Sequence, residues 1–295
     1  MAQEWDIDYA AAGYQFFGQE HLETQMGSNC RLPDMRGALN FDTETARPIG
    51  FEADEKGFTH LWFDTDFQLD EHGSPPPNRE YSIGADVSVG TGSSNSALSV
   101  TDKATGRKVA AFAHAFTSEY EFARLAVAMC RWFNDAYLVW EQNGPGRSFG
   151  HEVLKLGYHN IFFEVVNEKS LDKKYNDIPG WAPTVDKKWA LLSALKIAEQ
   201  EGKFVNQCLL SHKERQHYVM EPSGAVSHSQ TIRVDDPTKA KANHGDRVIA
   251  DALSWRGCNE QPALPPEVEK KEFPYLSMGY RMKQRERERL AMVDA

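Results

Sequence analysis

The stretch from Tyr81 to Phe133 constrains the fold most. YSIGADVSVG, SALSVTDK and KVAAFAHAF are three strand-like runs joined by Gly/Ser-rich and TGR turns, the grammar of an antiparallel meander. Ser118 with Glu121 then forms a capping box, and Phe122, Leu125, Ala126, Met129, Trp132 and Phe133 share one helical face. AYLVWEQ follows as a buried strand ending in an acid, NGPGR breaks the chain, SFGHEVLKLG is a short helix stopped by Gly157, and NIFFEVV is a further strand. TVDKKWALLSALKIAEQEG is a long helix from Thr184 to Gly202. QHYVMEPSGAVSHSQTI reads as a hairpin about a PSG turn, and a last helix opens at HGD and runs through RVIADALSW.

Three antiparallel strands, a helix and then strand-helix alternation predict an α/β fold: a mixed sheet, part antiparallel meander and part parallel, flanked by helices. That is the order of the ribonuclease H-like fold. The expected domain covers residues 81–257. Residues 1–80 show little periodicity beyond GYQFF and FTHLWF and end in GSPPPN, so they read as an acidic leader and linker. Residues 258–295, proline-broken and then highly charged, read as a tail for flexible or partner-docking use.

Charge divides along the same line. Residues 1–80 carry sixteen acids against five Lys or Arg, whereas residues 81–295 carry twenty-seven against twenty-eight, so the formal charge of −10 belongs to the leader. The nearly neutral remainder has lysine clusters at Lys169, Lys173 and Lys174 and at Lys187 and Lys188, which permit a phosphate-backbone contact, although lysines at this density are usually a solvated surface. Cys30, Cys130, Cys208 and Cys258 are scattered without a C-x-x-C pair, which reads as free thiols in a reducing compartment rather than a zinc site. No apolar run is long enough for a membrane span, and the cytoplasm is the expected location.

Alternation along the first strand-like run puts Tyr81, Ile83, Ala85, Val87 and Val89 on one side and Ser82, Gly84, Asp86, Ser88 and Gly90 on the other. Asp86 therefore stands among small residues, which leave the floor beside it open. Glu141 ends its strand at a glycine-rich turn, where open α/β sheets bind ligands. Asp246 opens the last helix and serves equally as an N-cap or a third acid of the same cleft. Carboxylates about 4 Å apart repel by roughly 4 kcal/mol per pair at an effective dielectric near 20. Hard cations offset that repulsion, and two Mg2+ or Mn2+ ions, with Asp86 bridging them, would hold a phosphodiester for attack by water.

These motifs resemble the C-terminal nuclease domain of the large terminase subunit of tailed phages. The resemblance rests on YSIGADVSVG, LVWEQNGPG, TVDKKWALLSALKIAEQEGKF, QHYVMEPSGAVSHSQ and NHGDRVIADALSW, and in the leader on EWDIDYAAAGYQFF, which is similar to the stretch after a packaging ATPase. It implies a metal-dependent endonuclease cutting double-stranded concatemeric viral DNA in an infected bacterium, with Asp86, Glu141 and Asp246 as ligands. A packaging ATPase domain, a small terminase subunit and a portal protein are the implied partners. Relatives with paired acids at Gly245–Asp246 raise Asp251 as a further ligand. Five positions separate it from Asp246 on a helix, so it reads more readily as structural. His244 is a candidate for orienting water, a ligand or phosphate, or an ordinary loop histidine. No G-x-x-x-x-G-K-[ST] loop is present, so the chain reads as a nuclease half without its ATPase. Three other readings stay open: an actin-like or sugar-kinase-like phosphotransferase using GADVSVGTGSSNSA, a branched-DNA resolvase of the same fold, and a non-catalytic portal or capsid docking module.

Overall fold

The strands and helices predicted between Tyr81 and Trp255 have counterparts in the three-dimensional structure, a computed structural model that describes residues 14–165, 175–229, 237–241 and 245–260, so the tail expected beyond residue 260 lies outside the described residues. The chain runs through β1 (Tyr14–Gln15), α1 (Gln19–Ser28), β2 (Met35–Phe41), β3 (Pro48–Ala53), β4 (Thr59–Leu61), β5 (Tyr81–Asp86), β6 (Ser96–Asp102) and β7 (Lys108–His114). It continues through α2 (Glu119–Trp132), β8 (Tyr137–Trp140), α3 (Pro145–Lys155), β9 (Phe163–Val165), β10 (Tyr175–Pro179), α4 (Val185–Gln200), α5 (Leu209–Arg215), β11 (Tyr218–Met220), β12 (Val226–His228) and α6 (Asp246–Cys258). Ser118 and Glu121 close the expected capping box on α2, and the Thr184 hydroxyl accepts the Lys187 N–H at the start of α4. Among the described residues, no helix is long and apolar enough to cross a membrane.

The main sheet has seven strands in the order β3-β2-β4-β7-β6-β5-β8. β5, β6 and β7 form the meander, and β8 joins β5 in parallel, with Ala85 opposite Trp140. A parallel bridge from Leu138 to Ile161 extends the sheet by one position beyond β8. The meander followed by parallel additions on the side of its first strand is the ribonuclease H-like arrangement that the sequence predicts. The parallel crossover from β5 to β8 is carried by α2, as such connections require.

The two faces of the sheet bury separate cores. Ile83, Ala85, Leu98, Val100, Leu138 and Trp140 pack with Phe122, Met129 and Phe149 of α2 and α3. On the other side, Tyr137 and Val139 pack with Leu192 and Leu195 of α4 and with Val248 and Leu253 of α6. The helices sandwich the sheet because β8 is apolar on both faces and the α6-facing residues of β5 and β6 are small enough to let a helix lie against them.

Two expectations are corrected here. Residues 35–61, expected within a leader, supply three strands to the main sheet: β4 pairs with β7 and β2 with β4. They carried little core signal because β2 and β3 lie at the outer end of the sheet and are only partly buried. The open floor expected beside Asp86 is instead filled by α6. A Cβ on Gly84 would stand 2.0 Å from the Ala250 carbonyl oxygen, so glycine is there to let the helix backbone approach. Ser254 of α6 completes that contact by donating its hydroxyl to the Ser82 carbonyl at 3.0 Å.

Candidate metal centre

Parallel pairing of β5 with β8 fixes the first two acids. With Ala85 opposite Trp140, the next rung carries Asp86 and Glu141, and both continue the Ser82–Gly84 and Tyr137–Val139 rows on the face covered by α6. The third acid comes from α6 itself. Its N-cap is Gly245, held at φ +80°, and Asp246 follows as the first helical residue. Asp246 does not cap its own helix. Its carboxylate reaches across to the β5–β6 loop, accepting the Ser94 hydroxyl at 2.8 Å and the Asn95 backbone N–H at 2.8 Å.

The electrostatics couple the group. Burial pushes the Asp86 carboxyl well above the usual carboxylate range, the charges of Asp246 and Glu141 push it further, and Lys188 opposes them. Burial also raises Glu141, again against Lys188. Burial and Glu214 raise Asp246 to about 7, despite the Asn95 N–H, the Ser94 hydroxyl and Arg247. Burial drives the Tyr218 phenol far up as well, and Glu214, Asp86, Asp246 and Glu141 add to it. A neutral hydroxyl thus faces the acids and donates to the Gly245 carbonyl at 3.2 Å.

The donor set suits a hard cation: it is all oxygen, and the Asp86 and Glu141 carboxylates accept no hydrogen bond from the described residues. Unpartnered acids in a shared, partly buried setting are costly unless protonated or ligated. No three His, Cys, Asp or Glu side chains among the described residues already close around one point as ligands. The acids therefore form an electrostatically coupled group rather than a finished coordination shell.

The remaining candidates separate. Asp251 lies in a different network. Its carboxylate accepts Lys108 Nζ at 2.6 Å, Arg215 at 3.0 Å, Asn206 at 2.9 Å and Ser211 at 2.5 Å. Burial opposes its ionisation, but Lys108 and Arg215 overcome that and hold it below the ordinary value, so its oxygens are engaged structurally. Lys187 pairs with Glu164 at 2.8 Å, whereas Lys188 faces the acids. His244, Lys173 and Lys174 lie outside the described residues. Glu214 went unnoticed in the sequence, and Ser94 and Asn95 entered it only within the GADVSVGTGSSNSA turn of the phosphotransferase reading, not as partners of Asp246. Those two sit in a turn with no periodic signal, and only the tertiary approach of α6 brings Asp246 to them.

No protein-family model and no curated protein matches the chain. Among solved structures, the large terminase nuclease of thermophilic phage G20c is similar at 17% identity with a TM-score of 0.48, over 76% of this chain and 94% of that one. The Thermus phage P74-26 large terminase nuclease domain is similar at 17% identity with a TM-score of 0.47, over 75% of this chain and 90% of that one. The HK97 bacteriophage large terminase is similar at 11% identity with a TM-score of 0.41, over 62% and 40%. In structure, the chain is similar to the nucleases of phage large terminases.

Proposed function

We propose that this chain is a divalent-metal-dependent endonuclease that hydrolyses phosphodiester bonds of double-stranded DNA. The observation that carries this reading is the coupling of Asp86, Glu141 and Asp246 at one edge of the sheet, with two of the three carboxylates lacking a hydrogen-bond partner among the described residues. Asp86, Glu141 and Asp246 would hold the metal. Bound magnesium or manganese would supply Lewis acidity, generating the nucleophile from water and steadying the leaving 3′ oxygen.

The chain's own groups have distinct tasks. Asp86 and Glu141 present oxygens from rigid strand ends, which fixes their separation. Ser94 and Asn95 orient the Asp246 carboxylate while leaving it further acceptor capacity. Lys188 offsets part of the acids' mutual repulsion and offers a cation to a scissile phosphate. The same contacts weigh against the phosphotransferase reading, because the Ser94 and Asn95 donors that would cradle a nucleotide phosphate face Asp246 instead.

The sequence resemblance supplies the setting: cleavage of concatemeric viral DNA in the cytoplasm of an infected bacterium, beside a packaging ATPase domain, a small terminase subunit and a portal. The deciding experiment is nicking and linearisation of supercoiled plasmid by purified protein with Mn2+ or Mg2+. Activity that requires metal and disappears in Asp86→Ala supports the reading, and full activity in Asp86→Ala removes it.

A further inference from the structure

The strands outside the expected domain carry a second cluster on the same face of the sheet as the acids. Cross-strand register sets one continuous row: Gly84 opposite Ser99, Ser99 opposite Ala111, Ala111 opposite His60, and His60 opposite Arg36. Directly opposed residues share a face, so Arg36 and His60 lie on the side from which Asp86 projects. Everything between them is small. Ser99 and Ala111 fill the row itself, and Ala97 and Ala113 fill the adjacent row that begins at Asp86.

Above this part of the sheet is a cavity with a volume of about 160 Å³, lined by Arg36, Glu55, Lys56, His60, Thr238 and Arg247 among others. The side chains of Arg36, Lys56 and His60 have no hydrogen-bond or ion-pair partner among the described residues. Arg247 donates to Glu214 at 2.5 Å. The cavity adjoins the acids through two short links. Arg247 follows Asp246 in the chain, and Thr238 donates to the side chain of Asn95, whose backbone holds Asp246.

We infer that Arg36, Lys56 and His60 form a phosphate-binding subsite that grips the DNA backbone several nucleotides from the cleavage point. Three observations support it. Two cations without a partner among the described residues, Arg36 and Lys56, line one cavity, against one lining acid, Glu55. The imidazole of His60 is held down to about 4, first by burial and then by the positive charges of Arg36, Arg247 and Lys108, so it stands there as a neutral hydrogen-bonding group beside Arg36. The span also suits a nucleic acid. Four interstrand steps from β5 to β2 cover roughly 19 Å, and at about 3.4 Å per phosphate along a strand this is about five or six phosphates.

The partner, duplex DNA, rests on the proposed nuclease function, and the test separates the two. Binding of a fluorescein-labelled duplex is followed by anisotropy in EDTA, where no cleavage occurs, across a series of salt concentrations. Arg36→Ala is expected to weaken binding severalfold, equally for unrelated sequences, and to reduce the slope of log K against log salt by about 0.9. Arg36→Glu should weaken it further. A thermal melt confirms that both variants remain folded, which their exposed position favours. Unchanged affinity and slope in both variants overturns the subsite, even if the wild type nicks plasmid. A wild type that binds duplex through Arg36 but never cleaves it upholds the subsite and removes the nuclease reading. A wild type that binds no duplex overturns both.

Discussion

Asp246 accepts the backbone N–H of Asn95 at 2.8 Å, although the two residues lie 151 positions apart. This contact fastens the first turn of α6 to the loop that leaves β5, so the acid from the helix and the acid from the strand are set by one hydrogen bond and its Ser94 neighbour. Ser94→Ala is expected to leave the fold intact, because Asn95 still holds one oxygen, while lowering cleavage through a less fixed carboxylate. Loss of a hydrogen bond to a charged group costs about 1.5–3 kcal/mol, so metal titrations should show weaker binding by roughly an order of magnitude. Unchanged metal affinity in Ser94→Ala would remove this positioning role.

The raised acids make stability depend on pH in an unusual direction. Asp246 moves from an ordinary 3.8 to about 7, so the folded protein binds more protons than the unfolded chain between those values. The stabilisation from its protonated form is fully present below pH 3.8 and is lost as pH rises through about 7. Asp246→Asn should therefore melt at higher temperature than wild type in metal-free buffer at pH 8, with the difference closing near pH 4. Added Mn2+ should raise the wild-type melting temperature at pH 8 more than that of the variant.

Lys188 lowers the proton affinity of both Asp86 and Glu141. Its replacement by glutamine should shift the acid limb of the cleavage profile to higher pH, since protons then compete better for both carboxylates. A pH-rate series on the plasmid substrate checks this. A uniform loss of rate with no displacement of the limb would assign Lys188 to DNA contact alone.

Close packing of α6 on β5 depends on a missing side chain. In Gly84→Ala the new methyl would stand 2.0 Å from the Ala250 oxygen and 2.3 Å from the Ser254 nitrogen, so the helix must retreat. Overpacking of this kind costs about 1–3 kcal/mol. Urea unfolding should show the loss, and cleavage should fall with it, because the displaced helix carries Asp246.

Asp251 gives a contrasting result. Its replacement by alanine strands Lys108 and leaves Arg215 with Glu199 as its one charged partner among the described residues. Removing one member of a buried ion pair costs about 3–5 kcal/mol, visible as a lower urea midpoint. Metal affinity of the molecules that remain folded should be unchanged, whereas a selective loss of metal binding would return Asp251 to the ligand set.

How legible these features were in the sequence depended on the range of the interaction. The meander, the Ser118–Glu121 box, α4 and the β11–β12 hairpin are written in periods, caps and turns within a few residues of one another. The strand-end positions of Asp86 and Glu141 were readable for the same reason. β2 and β4 were not, because their pairing is long-range: the partner of β4 lies some fifty residues away on β7. LLSHKER looks like a surface turn of helix, yet Ser211, His212, Glu214 and Arg215 of α5 are buried. Charged residues hide there because Asp251, Glu199 and Arg247 await them, and no local pattern announces partners that distant.

The match of Ala85 to Trp140 makes the Asp86–Glu141 pair a property of alignment between two segments more than of either residue's surroundings. Substituting one aliphatic residue for another along β8 preserves the pair. Inserting or deleting a single residue between Tyr137 and Trp140 inverts the strand, sending Glu141 towards α2 and α3 while Asp86 stays behind. Mutational libraries over this segment should accordingly tolerate changes of letter and reject changes of length.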